Sequence, residues 1–238
     1  MGAHGRGWRL SPVVAVLVAA LVSLNGTSWT WGQEVPSQPR PASAAGQVVL
    51  LMDATTSLDV QAPAGGTRRK LFLDGGRLIT KTLEGSGRPM VIARLCGTTE
   101  HLWGPSTVRK QNLGQLTIVF TRALATCSPS TSVIPDPQRG GTDLVRGVRW
   151  LAQRPDDAIL VLMTDGIHQP PAAGGQVRHE ELYRELDQVK SRLRDRLWIL
   201  GVDEAVRDPI GARVPRTWGL LDFMEGIMQL VKIIQGRR

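Results

Sequence analysis

From residue 47 onward, apolar and polar positions follow two periods that take turns. VVLLM (48–52), MVIARL (90–95), AILVLM (158–163) and LWILGV (197–202) are short, β-branched and almost uninterrupted. VVLLM and AILVLM read as strands buried on both faces of a parallel sheet, and MVIARL and LWILGV as further strands. Between them the period lengthens. Residues 66–83 carry Leu71, Leu78, Ile79 and Leu83 at helical spacing, around a weak centre at Gly75-Gly76. Residues 111–126 contain TIVF, a strand-like run. Leu113, Leu116, Phe120, Ala123 and Leu124 nevertheless recur at helical spacing behind Asn112, a residue suited to an N-cap, and a helix is expected there. Further helices are expected at 142–153, at 179–194 with Leu182, Leu186, Val189 and Leu193 on one stripe, and at 218–234. The last keeps Asp222, Glu225, Gln229 and Lys232 on a polar stripe. Strands alternating with helices predict an α/β domain with a mostly parallel, doubly wound sheet flanked by helices.

Ahead of this pattern, Arg6 and Arg9 precede LSPVVAVLVAALVSL (10–24). A run of this length fits the core of a signal peptide better than a membrane span, which needs about 20 residues. Residues 1–28 are therefore expected to be a signal peptide or signal anchor. Residues 29–46, rich in Pro, Ser and Ala, read as a flexible linker. The domain, residues 47–238, is expected outside the cytoplasm: periplasmic, extracellular or membrane-anchored, touching a membrane only through the N-terminal segment. Its about 190 residues are enough for one domain with a proper core.

The net charge of +8 falls to +6 when Arg6 and Arg9 leave with the leader. The remainder includes Arg68-Arg69-Lys70, Arg192, Arg194, Arg196 and Arg237-Arg238. No base-stacking aromatic pattern or nucleic-acid motif accompanies them, so they read as a solvated basic surface and no nucleic-acid partner is expected. The two cysteines, Cys96 and Cys127, suit either one disulfide in an oxidising compartment or two buried thiols.

Candidate chemistry gathers where apolar runs end. VVLLMDATTS supplies Asp53, Thr55 and Ser57, GGTDLVRGV supplies Thr142, and AILVLMTDG supplies Asp165. Two carboxylates and three hydroxyls, with no His or Cys, suit hard cations: Mg²⁺, Mn²⁺ or Ca²⁺. On a loop leaving a strand, the alternate residues of D-x-T-x-S can turn toward one point. Thr142 follows Gly140-Gly141, which permits close backbone approach, and opens a helix with its positive end toward the site. Ligands of open α/β sheets bind beyond the carboxyl ends of the strands, where both Asp residues fall. Asp59 and Asp143 read as surface or capping residues, and His168 as a solvated loop histidine.

These residues resemble the metal-ion-dependent adhesion site of von Willebrand factor type A domains. The family pattern is D-x-S-x-S, then a Thr after Gly residues, then an Asp in a T-D-G turn. Here the positions are Asp53-Ala54-Thr55-Thr56-Ser57, Thr142 in Gly-Gly-Thr-Asp-Leu, and Asp165 in Met-Thr-Asp-Gly, in order across about residues 47–234. The departures are Thr55 where Ser is usual, the long stretch 97–140, and a Gly- and Pro-rich loop at 167–178. The resemblance implies a Rossmann-like fold and an exported, divalent-metal-dependent protein-binding module for adhesion or complex assembly. The bound metal would accept an Asp or Glu carboxylate from a partner protein.

Enzyme signatures are weaker, and a non-enzyme is expected. There is no G-x-S-x-G elbow to turn Ser57, His168 and an Asp into a triad. The residue two beyond Asp53 is Thr55, where aspartyl phosphatases of the haloacid-dehalogenase type carry a second Asp. A phosphate-binding loop, H-E-x-x-H and C-x-x-C are all absent. The alternatives to a binding module are a metal-dependent phosphohydrolase and a structural envelope subunit in which metal only stabilises a loop.

Overall fold

Strands β1 (Val48–Asp53) and β5 (Leu197–Val202) are buried along their whole length, so each must be covered on two faces. A computed structural model shows how this is done; it describes residues 46–54, 56–62, 65–125, 141–170 and 176–236. The other strands are β2 (Pro89–Cys96), β3 (Thr98–Thr107), β4 (Ile159–Met163) and β6 (Thr217–Gly219). They form one six-stranded sheet in the order β3-β2-β1-β4-β5-β6, parallel throughout except for the antiparallel β2–β3 pair.

The helices are α1 (Arg68–Leu83), α2 (Leu113–Ala123), α3 (Leu144–Ala152), α4 (His179–Leu193), α5 (Glu204–Gly211) and α6 (Phe223–Ile234). Side chains alternate across a strand, and the core divides accordingly. Val48, Leu50 and Met52 pack with Phe72, Phe120 and Phe223, from α1, α2 and α6. Val49 and Leu51 pack with Leu144, Val148, Leu182, Leu186, Val206 and Ile210, from α3, α4 and α5. Helices cover both faces of a mostly parallel sheet, as the alternating pattern predicts. β1 lies between its parallel neighbours β2 and β4. The strand order reverses there, so the carboxyl ends of β1 and β4 flank the topological switch point where open α/β sheets bind ligands.

Gly75-Gly76 turns out to be a packing device. A Cβ on Gly75 would lie 2.9 Å from the Phe223 ring, and one on Gly76 would lie 2.6 Å from the Phe120 ring. The pair lets two aromatic rings approach the α1 backbone, and Phe72 stacks on Phe223 at 5.5 Å between centroids. The helix gains in packing what it loses in propensity.

Three elements depart from the sequence expectations. β3 lies in the long stretch 97–140, where no strand was assigned; its apolar residues Leu102 and Trp103 are adjacent and do not alternate, and most of this edge strand is partly or fully exposed. α5 and β6 also arise where none was expected. α5 is started by Asp203, whose side chain accepts from the Ala205 N–H, and it contains Pro209. β6 takes residues assigned to the final helix, which begins only at Phe223; Trp218 on β6 stacks on Trp198 of β5 at 5.0 Å and 7°. Cys96 is disulfide-bonded. Cys127, the other cysteine of the sequence, lies outside the described residues, as do the apolar leader and the linker. No helix among the described residues is long and apolar enough to cross a membrane.

Candidate metal centre

β1 delivers Asp53 to the rim as its last residue, with only 1% of its surface exposed. A carboxylate this deep must be hydrogen-bonded. The Thr164 hydroxyl donates to Asp53 Oδ2 at 2.9 Å, and the Thr142 hydroxyl faces Oδ1 at a longer 3.4 Å. Thr164 immediately follows β4, and its hydroxyl also accepts the Gly166 N–H at 3.0 Å. It ties the ends of the two central strands together.

Thr142 is placed by the backbone. It exchanges two hydrogen bonds with Gln169, at 2.9 and 3.0 Å, forming a bridge between the segments that precede α3 and follow β4. Gly141 takes a φ of 74° just before it, a region that favours glycine. Asp143 caps α3, its side chain accepting the Arg146 N–H at 3.0 Å, as a capping reading requires. Asp59 is exposed and pairs with Arg69, which holds its carboxyl below the ordinary range.

The same bridge overturns the expectation of a solvated His168. The ring is 1% exposed, because the Thr142–Gln169 pairing draws residues 167–169 onto the rim. His168 Nδ1 lies 3.2 Å from the Leu144 N–H and 3.3 Å from the Thr142 carbonyl oxygen, so the ring sits between the two backbone groups. Burial pushes the imidazole pKa down, against the opposing pull of Asp143, the Thr142 carbonyl and Glu181. His168 thus braces the start of α3.

Asp165, 3% exposed, accepts the Ile167 N–H on Oδ1 at 2.8 Å. Its Oδ2 lies 3.6 Å from Nη1 of Arg68, itself only 4% exposed. The same Nη1 donates to the Ser57 carbonyl at 3.2 Å, and Nη2 lies 3.8 Å from the half-exposed Asp203. Arg68 therefore links the loop after β1 to the turn after β4. The sequence reading placed it on a solvated basic surface with Arg69 and Lys70, and the structure corrects that. Thr67 caps α1, so Arg68 opens the helix on the stripe it shares with Phe72, Gly75, Ile79 and Leu83. A position four residues before Phe72 on a buried stripe was the available signal. Thr164 was also missed, because it stands beside the more conspicuous Asp165.

Of the five expected ligands, the structure brings Asp53 and Thr142 together, sets Asp165 at the end of the neighbouring strand, and joins Ser57 to Asp165 through Arg68. Ser57 lies in a 3-10 turn spanning Thr56–Asp59, while Thr55 lies outside the described residues. One buried carboxylate, Asp53, and the hydroxyls of Thr142 and Thr164 meet at the rim, and oxygen donors of this type suit a hard divalent cation. No group of three or more His, Cys, Asp or Glu gathers among the described residues.

No protein-family model matches the chain, and neither does any curated protein. Solved structures do. A von Willebrand factor type A protein from Catenulispora acidiphila superposes with a TM-score of 0.51 at 14% identity, over 82% of this chain and 43% of that one. The D319A mutant of the PilB minor pilin from Streptococcus sanguinis gives 0.53 at 12% identity, over 83% of this chain and 63% of that one. The chain thus spans less than two thirds of either protein. At these identities the likeness is one of fold: a von Willebrand factor type A-like α/β domain, in agreement with the sheet described above.

Proposed function

We propose that this chain is an exported, divalent-metal-dependent protein-binding module, and not an enzyme. The observation that carries the reading is the meeting of Asp53 and Thr142 at the switch point, with Asp165 at the end of the adjacent strand. Asp53, Thr55, Ser57, Thr142 and Asp165 would hold the ion, directly or through water. Mg²⁺, Mn²⁺ or Ca²⁺, when bound, supplies a Lewis-acidic centre with an exchangeable position for an Asp or Glu of a partner protein.

The chain's own groups do the positioning. The Thr142 hydroxyl points at Asp53 and can rotate to offer a lone pair instead. Thr164 fixes the other Asp53 oxygen, so the carboxylate keeps its orientation during that exchange. His168 holds the Thr142 segment through the backbone: its Nδ1 lies 3.2 Å from the Leu144 nitrogen and 3.3 Å from the Thr142 carbonyl oxygen. Adhesion or complex assembly follows if the partner's carboxylate completes the shell. The leader supports placing this event outside the cytoplasm.

Calorimetric titration with Mn²⁺ and Mg²⁺ tests the reading. The wild type should bind one ion, and Asp53→Ala should bind none while keeping its far-UV circular dichroism. Thr142→Ala should weaken metal binding less than it weakens capture of a carboxylate. Equal metal binding by wild type and Asp53→Ala would remove the proposal and leave only the fold.

A further inference from the structure

The metal reading leaves one group unused. Arg68 is almost completely buried, its guanidinium lies against Asp165 and the Ser57 carbonyl, and its Nε has no hydrogen-bond partner among the described residues. Burying a guanidinium is expensive, and a purely structural helix start does not require one. From this placement we infer that Arg68 is a resident cation of the site, one that lowers its divalent-metal affinity and leaves the metal-loaded site one charge more positive. This rests on the metal-dependent reading above and specifies how the site takes its partner.

Charge sets the direction of the effect. Arg68, buried beside Asp165, makes the rim one charge more positive than the same rim with a neutral residue at position 68. That extra charge opposes an incoming cation. Once an ion is bound, the same charge favours an incoming carboxylate. The same residue also holds the Ser57 loop and the Asp165 turn together before any ion arrives, because Nη1 reaches both. Asp203, half exposed and 3.8 Å from Nη2, is screened by solvent and offsets Arg68 only in part.

Two effects of opposite sign follow from one substitution. Arg68→Met should bind Mn²⁺ about tenfold more tightly than the wild type, since a buried like charge has been removed. Its Mn²⁺-loaded form should bind acetate several-fold more weakly, read by acetate-dependent loss of Mn²⁺-bound water in proton relaxation. Arg68→Lys keeps the charge and should stay close to the wild type on both readouts.

The wild type's own Mn²⁺ titration separates the two proposals. If it binds no Mn²⁺, the metal reading itself fails. If it binds Mn²⁺ but Arg68→Met binds no more tightly, or takes acetate equally well, the resident-cation inference is overturned while the metal reading stands. A lysine variant that behaves like the methionine one overturns it too. Should Arg68→Met not fold, Arg68→Gln, which keeps a donor for the Ser57 carbonyl, carries the same comparison. If neither folds even with Mn²⁺ present, the role of Arg68 is structural and the inference is wrong.

Discussion

The two carboxylates at the rim are buried almost equally, 1% exposed for Asp53 and 3% for Asp165, yet different chemistry holds them. Asp53 receives the hydroxyls of Thr164 and Thr142, neutral groups. Asp165 receives a backbone N–H and faces the guanidinium of Arg68, a fixed positive charge. Hydroxyls meet both oxygens of one carboxylate, and a buried guanidinium faces the other. Neighbouring strand ends of one sheet can therefore hold equally buried carboxylates by different means.

The contrast should appear first in stability. Asp165→Ala leaves the Arg68 guanidinium buried without its carboxylate, and loss of one member of a buried pair costs about 3–5 kcal/mol. The low end is expected, since the Ser57 carbonyl and Asp203 remain near Arg68. Urea denaturation measures it. Asp53→Ala orphans the Thr164 and Thr142 hydroxyls, and its cost should be smaller, about 1–3 kcal/mol. Equal costs would mean that the two carboxylates are held alike.

Thr164→Val comes next. It removes the 2.9 Å hydrogen bond to Asp53 and an acceptor for the Gly166 N–H, and should cost about 1–2 kcal/mol in the same measurement. The Asp53 carboxylate would then be free to rotate, and Mn²⁺ affinity should fall several-fold. A variant with wild-type affinity would show that Thr164 joins the strands without orienting the ligand.

The smallest effect lies at the sheet edge, which serves as a control for the rim. Burial works against the Glu100 carboxylate, but hydrogen bonds and charge from Arg94 and Arg122 outweigh it and hold its pKa below the ordinary 4.5. A lowered folded-state pKa gives a contribution that is complete above the ordinary glutamate value. It is lost as pH falls through the folded one. Between about pH 6 and about pH 3, Glu100→Gln should therefore lose less stability on acidification than the wild type does. Mn²⁺ binding at neutral pH should be unchanged. A changed Mn²⁺ affinity would show that the edge and the rim are coupled.

How much of this the sequence carried depends on how many faces an element buries. β1, β4 and β5 are covered on both faces and announced themselves as apolar runs. β3 buries little beyond Trp103 and left no alternation to read. The helix at 113–123 was legible because Leu116 and Phe120 stand four apart on its buried side, despite the strand-like TIVF. At the site, residue types at strand ends pointed to Asp53, Thr142 and Asp165. Arg68 was obscured by its neighbours Arg69 and Lys70, which are more exposed, so a run of three basic residues read as a single surface. His168 was misjudged because its burial depends on the Thr142–Gln169 bridge, a pairing between segments far apart in the chain. Local pattern reveals an element and its inward face; it does not reveal which loops close over a rim.

The most direct test of the central claim is where an ion sits. Crystals of the domain grown with Mn²⁺ should show one anomalous-scattering peak at the switch point, within about 2.0–2.6 Å of coordinating oxygens. Asp53 and Thr142 should be among its direct or water-bridged ligands, with Arg68 still against Asp165. A peak elsewhere, or none at saturating Mn²⁺, would contradict the account.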